Sequence, residues 1–318
     1  MARFPAFWRP AAALFVAGAA LVAAPLSAQA RALPVNYDFA TGALAGFLFP
    51  QTPPPGADNF GCQPSSAHPD PVILVNGTFA NQDDNWQAAS PLLANHGYCV
   101  FAFNYGGTSP SAVVQGTGDI AASAGQLGAF VTRVLAATGA VKADLVGHSQ
   151  GGMMPRYYLK FLGGAAHVNK LVALAPSNHG TTLDGLTALV TALGAAGLVN
   201  SALNPLCTAC VEQEAGSSFL ANLNAGGETV AGVTYTVIES RYDEVVTPYT
   251  SAFLSGAGVT NITLQNQCPL DLSDHLEIAA DPVALADVLN ALDPARPVHV
   301  PCLTVLPITG PVGPVPPF

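Results

Sequence analysis

Residues 144–154, Asp-Leu-Val-Gly-His-Ser-Gln-Gly-Gly-Met-Met, decide the fold of this 318-residue chain. A short apolar run with Val141, Ala143, Leu145 and Val146 stops at Gly147. A helix-compatible run with Met153, Met154, Tyr157, Tyr158 and Leu159 begins near Gly152. Between them, Gly147-His148-Ser149-Gln150-Gly151 matches G-x-S-x-G in the strand, turn and helix setting that gives the pattern meaning. Reversing a strand into a helix within so few residues strains the central residue, and β-carbons on its flanks would strike the neighbouring strand and helix. Glycine at 147 and 151 removes those collisions. The turn presents the Ser149 hydroxyl at the carboxyl edge of a sheet, at a helix N-terminus whose free N–H groups favour developing negative charge. Ser149 is the candidate nucleophile. Chance occurrence in a chain with 31 glycines is the competing explanation.

Outward from this turn, strand and helix patterns alternate. Pro71 opens the apolar run Val72-Ile73-Leu74-Val75, as expected for a strand buried on both faces. The turn Asn76-Gly77-Thr78-Phe79 follows. Residues 86–96 have helical spacing and residues 98–103 read as the next strand. Residues 104–118 form a Gly/Ser/Pro loop, and residues 120–137 form an amphipathic helix that Gly139 ends. After the serine turn come a helix (153–162), a strand (171–175), a later strand (230–238), another (259–264) and a terminal helix (282–292) with proline at its start. Such alternation predicts an α/β fold with right-handed crossovers and a largely parallel central sheet flanked by helices. Residues 31–70 read as an irregular N-terminal wrap, and 293–318 as a proline-rich tail.

Composition sets the compartment and class. Charged residues make up 9% of the chain and hydrophobic ones 50%, which suits one large buried core. Residues 1–30 read as a targeting segment, with Arg3 and Arg9 at the start. The apolar stretch 11–24 is too short for a comfortable membrane span, and Ala28-Gln29-Ala30 is a small-x-small cleavage site. Its removal takes away two arginines and no acids, moving the formal charge from -10 to -10 - 2 = -12. An exported, acidic, monomeric protein is expected, a single domain over 31–318, with no stable membrane span and no nucleic-acid partner. Six cysteines in such a chain read as three disulfides. Fifteen pairings are open; neighbours along the chain give Cys62–Cys99, Cys207–Cys210 and Cys268–Cys302. Cys207-x-x-Cys210 lacks a second C-x-x-C and a nearby histidine, so a local bridge is favoured over a metal site.

A serine hydroxyl becomes a good nucleophile when a histidine takes its proton, and that histidine needs a carboxylate to fix its tautomer. After a strand–turn–helix serine the chain order is Ser, acid, His. His68 and His96 precede Ser149, and His148 shares the turn and is expected to point elsewhere. No suitable acid separates Ser149 from His167 or His179, and His299 lies in the tail. His275 remains. Among the acids between, Asp243 and Glu244 sit just past a strand end; Asp243, with the shorter side chain, is preferred and Glu244 is its rival. Asp271 and Asp274 share the histidine's loop and read as turn or cap residues. For an oxyanion, Thr78 is the expected donor through its backbone N–H, with its hydroxyl as an addition, and the Gln150 N–H is the second. An ordinary glycine turn is the alternative reading of residues 76–79.

Residues 181–206 hold Leu183, Leu186, Leu189, Val190, Leu193, Leu198, Val199 and Leu203 with almost no charge. Two short helices broken at Gly194 and Gly197 fit, either as an apolar lid facing a lipid or as core helices.

Five stretches now carry a resemblance: VILVNGTF (72–79), LVGHSQGG (145–152), APSNHGT (175–181), YDEVVTP (242–248) and LSDH (272–275). In this order, across nearly all of the mature domain, they resemble the secreted class 2 lipases of actinomycete type, within the α/β-hydrolases. The resemblance implies a Ser149, Asp243, His275 triad, Thr78 and Gln150 as oxyanion donors, and hydrolysis of acylglycerols or other carboxylic esters, with an oil–water interface as a partner and no cofactor or metal. It also implies the bridges Cys62–Cys99 and Cys268–Cys302. One departure is Asn76, where such enzymes often carry histidine, and it bears on the hydrogen bonds that support the loop. A short-chain carboxylesterase or polyester depolymerase shares the same triad, and a non-catalytic lipid-binding protein would share the fold.

Overall fold

The computed structural model describes residues 1–2, 32–182, 184–185, 188–189 and 207–318. Beyond its first two residues, the expected targeting segment lies outside the described residues, as does most of the apolar segment 181–206. The sheet, its flanking helices and all three disulfides belong to one unit, Leu33–Phe318.

Six strands form the central sheet: β1 (Val72–Val75), β2 (Val100–Ala102), β3 (Ala143–His148), β4 (Val168–Leu174), β5 (Thr234–Glu239) and β6 (Val259–Thr263). Their order is β2-β1-β3-β4-β5-β6 and every neighbouring pair is parallel. Parallel strands share one carboxyl edge, so the loops after β1, β3, β4 and β5 open on the same side. That geometry brings residues 76–79, 149, 175–181 and 240–248 towards one another.

Alternate residues of each strand feed two cores. Val72, Leu74, Val146, Val172 and Ile238 face helices α2 (Ala89–Asn95) and α8 (Pro282–Leu292). Ile73, Leu145, Leu171 and Val237 face α3 (Ile120–Thr138) and α4 (Gln150–Phe161). Burial on both faces is why these strands read as continuous apolar runs. By length and composition α3 could span a membrane, but Ile120, Leu127, Val131 and Val134 are fully buried against the sheet. Asp119 caps its start through a 2.7 Å bond from the Ala122 N–H, and Gly139 ends it at φ 69°. Further short helices are α5 (Thr208–Glu212), α6 (Ser218–Asn224) and α7 (Leu264–Gln267).

The N-terminal wrap is not irregular throughout, because it contains α1 (Phe39–Leu48). Phe39 enters the core, and a β-carbon on Gly46 would overlap the backbone of Asp84, so the glycines let this helix lie directly on the loop that follows β1. The tail is also ordered: β7 (Val305–Leu306) and β8 (Gly310–Pro311) make an antiparallel hairpin, and the Ala40 N–H donates to Ile308 O at 3.0 Å. All three expected disulfides are present. Cys62–Cys99 pins the wrap to the segment entering β2, and Cys268–Cys302 ties the tail to the loop that carries His275.

Candidate active site

Ser149 stands between β3 and α4 at φ 55° and ψ -122°, a left-handed conformation that costs a non-glycine residue about 1–3 kcal/mol. Its neighbours hold it there. The Ser149 N–H donates to Leu174 O at 2.9 Å, and Ser149 O accepts from the Gly152 N–H at 2.9 Å. A β-carbon at 147 would overlap the Gly151 carbonyl, and one at 151 would overlap the Val75 carbonyl. Both glycines are therefore demanded by close backbone approach.

Opposite the serine, the loop after β1 is wired tightly. The Gly77 N–H donates to Asn85 Oδ1 at 2.8 Å, and Asn76 Nδ2 donates to Ala80 O at 2.7 Å. Asn76, the departure noted in the sequence, thus supports the loop with its own amide. Phe79 takes φ 68° and its N–H donates to Gln115 O. The N–H groups of Thr78 and Gln150 have no acceptor among the described residues. Thr78 Oγ1 accepts from Gln150 Nε2 at 3.1 Å and from Gln213 Nε2 at 2.9 Å. With both lone pairs engaged, the hydroxyl's role left over is that of donor. Gln213 is a residue the sequence reading missed. It follows α5 and is locked by donation to Ala209 O at 3.1 Å and acceptance from Ser177 Oγ at 2.8 Å.

Asp243 lies on the loop after β5. Its Oδ1 accepts the N–H groups of Val245 and Val246 at 2.8 and 2.7 Å, and its Oδ2 meets His275 Nδ1 at 2.8 Å. Both side chains have 0% exposure. Glu244 instead accepts the backbone N–H of His275 at 3.3 Å. His275 Nε2 is buried and has no hydrogen-bond partner among the described residues; none joins it to Ser149 in this structure. Burial works against a charged His275, but the Asp243 carboxylate, helped by Glu244 and Asp274, raises its pKa above the ordinary 6.5.

His148 does not point away from the site. Its ring lies 5.1 Å from that of His275, and its Nε2 meets His275 O at 2.8 Å. Burial drives its pKa down to about 3, so at neutral pH it is uncharged. Nε2 faces that carbonyl at 2.8 Å and Nδ1 faces Asn85 Oδ1 at 3.2 Å, so the single proton makes the shorter bond when it sits on Nε2. It is a strut under the His275 loop. His179 is engaged by Glu228 at 2.7 Å and by Ser251 O, away from this cluster. Asp271 and Asp274 cap turns, accepting the N–H groups of Ser273 and Glu277. Among the described residues no group of three or more His, Cys, Asp or Glu side chains is placed to hold a metal ion. A separate cleft of about 660 Å³, lined by Asp58, Asn104, Tyr105 and Arg133, does not include Ser149.

A family model described as lipase (class 2) matches residues 69–286, the span that holds the sheet, the elbow and the acid and histidine loops. The chain belongs to the class 2 lipase family. Two triacylglycerol lipases, from Pseudarthrobacter phenanthrenivorans and Burkholderia plantarii, are each 44% identical over 92 residues, 27% of this chain. The matches cover 27% and 24% of those proteins, so the class 2 lipase chain aligns with about a quarter of their length. The crystal structure of Aspergillus fumigatus lipase B superposes with a TM-score of 0.54 at 20% identity, covering 78% of this chain and 57% of that one. At that identity the likeness speaks to the fold, which is that of the α/β-hydrolases.

Proposed function

We propose that this class 2 lipase family member is a secreted serine hydrolase that cleaves acylglycerols through a Ser149, His275, Asp243 triad. The observation that carries the reading is the buried 2.8 Å bond between His275 Nδ1 and Asp243 Oδ2, which leaves Nε2 unengaged. With Nδ1 bearing the proton that Asp243 accepts, Nε2 is the basic nitrogen. Rotation of the serine hydroxyl towards it allows Nε2 to take the proton as Oγ attacks the ester carbonyl. The negative charge then forms on the carbonyl oxygen, which the N–H groups of Thr78 and Gln150 and the Thr78 hydroxyl are positioned to receive. Collapse, with proton transfer from Nε2 to the departing alkoxide, releases the alcohol and leaves an acyl group on Ser149. A water activated by the same nitrogen then frees the acid.

The acylglycerol assignment draws support from surface chemistry. The outer side of α1 and the residue after it expose Leu44, Phe47, Leu48 and Phe49, and α1 bears no charged residue. This apolar strip sits on the loop after β1, since Asn81 Nδ2 donates to both Gly46 O and Val113 O. Such a strip beside the oxyanion loop suits a lipid–water interface. The targeting segment, with a mature single domain over 31–318 and three bridges that need an oxidising compartment, supports export. The test is activity on p-nitrophenyl esters from acetate to palmitate and on emulsified triglyceride. Rising activity towards long chains and emulsion is expected; preference for acetate with no action on emulsion overturns the lipase assignment in favour of a short-chain esterase.

A further inference from the structure

Of the three oxyanion donors in the proposed site, the Thr78 hydroxyl is the one that can turn away. A backbone N–H points one way only, but a hydroxyl rotates about its C–O bond and its proton follows the nearest acceptor. Two glutamine amides meet the Thr78 oxygen from separate parts of the fold. Gln150, the residue after Ser149, brings its Nε2 to 3.1 Å, and Gln213, 135 residues beyond Thr78 in the chain, brings its Nε2 to 2.9 Å. Gln150, Gln213 and Thr78 are 0%, 2% and 3% exposed, so bulk water does not compete for these bonds.

Neither amide can be turned over. Gln150 Nε2 also lies 2.9 Å from Gly116 O and Gln213 Nε2 lies 3.1 Å from Ala209 O, and a carbonyl only accepts. The end of each amide that faces Thr78 is therefore its NH2. At the opposite end of Gln213, Oε1 accepts from the Ser177 hydroxyl at 2.8 Å, which ties the side chain to the loop after β4. The backbone of Gln213 is fixed as well. It caps the end of α5, whose first turn the Cys207–Cys210 bridge closes. Its N–H donates to Ala209 O at 3.0 Å and its carbonyl accepts the Thr181 N–H at 2.9 Å. The side-chain bonds thus run in one direction, from Ser177 to Gln213 to Thr78, and the Thr78 proton is what remains to be given.

We propose that Gln213 is a positioning residue for oxyanion stabilisation: together with Gln150 it fills both acceptor sites of the Thr78 oxygen and obliges that hydroxyl to donate to the charge developing on the substrate. The inference rests on the triad reading above. Gln213 bonds Thr78, Ser177 and Ala209 through its side chain and none of the triad, so its effect reaches the reaction through Thr78. With the proton aimed before the substrate arrives, no reorganisation is required as the negative charge forms.

The test is a double-mutant cycle on a soluble ester, with kcat and KM measured for Gln213→Met, Thr78→Val and the two combined. Gln213→Met keeps the length of the side chain without a donor, and an approximately tenfold fall in kcat with KM little changed is expected, the size of one hydrogen bond. In the Thr78→Val background the same change should cost less than about twofold, because the hydroxyl it aims is gone. Should Gln213→Met not fold, Gln213→Asn, which withdraws the amide by one methylene, is expected to behave in the same way in both backgrounds. Losses that multiply in the double variant show that Gln213 acts through the fold, and overturn the proposal. So does parental kcat in the variant that lacks or withdraws the amide, a loss that appears in KM alone, or parental kcat in Thr78→Val. Ser149→Ala in the same assay separates this from a failure of the triad reading, since unchanged activity there would undo the triad and not merely residue 213.

Discussion

Ser149 is held by its own neighbours in sequence and one backbone bond to β4, whereas His275 is held by residues that the fold brings from two other segments, the end of β3 and the loop after β5. Gly147 and Gly151 clear the space around the serine, and two backbone bonds fix its strained turn. His275 depends on Asp243 at its ring, Glu244 at its N–H and His148 at its carbonyl. The serine half is a rigid local device. The histidine half is a tertiary assembly of buried groups, in which the acids around His275 raise its pKa against the effect of burial. The contrast teaches that damage to the first should be all-or-none, while damage to the second should be graded and pH-dependent.

The largest expected effect lies on the serine side. Ser149→Ala should lower kcat by about 10⁶ while circular dichroism and unfolding temperature stay at the parental values; retained ester hydrolysis would break the comparison at once. Across the site, Asp243→Asn should cost about 10⁴ in kcat, because the amide favours the wrong imidazole tautomer. Glu244→Gln, which keeps an acceptor for the His275 N–H, should cost less than about tenfold. The reverse ranking would hand the acid role to Glu244. A smaller loss, about a hundredfold in kcat with KM little changed, is expected for Thr78→Val. Thr78→Ser should recover most of it if the hydroxyl donates to the oxyanion.

The subtlest prediction concerns stability. Burial, with Asp274, Asp38 and Asp271 adding to it, lifts Glu277 from 4.5 to about 9, so the folded chain keeps a proton that the unfolded chain releases. Between pH 4.5 and 9 the native state binds more protons, and stability contributed by this group therefore falls as pH rises. Glu277→Gln should flatten that decline in Tm; an unchanged slope would show that the acid is ionised in the fold.

The same contrast explains what could be read from the chain alone. The elbow was legible because strand, glycines, serine and helix are adjacent, and β1, β3 and α3 were legible because burial on a fixed period leaves a pattern. His275 and Asp243 emerged by eliminating others in chain order, and the structure places them in contact. Helix α1 was missed because glycines at 42 and 46 and the lack of charge resemble a loop; contact with Asp84 and Gln87 makes those glycines useful. Gln213 left no trace, since a glutamine becomes a clamp only through partners distant in sequence, here Thr78 and Ser177.

The central claim is that His275 and Asp243 make Ser149 a nucleophile. It is tested most directly by mapping a fluorophosphonate adduct by mass spectrometry in the parent and in His275→Ala. A single adduct on Ser149 at neutral pH in the parent, slowed at least about a thousandfold in the variant, is the predicted result. Labelling at another residue, or equal labelling of Ser149 in both proteins, would contradict it.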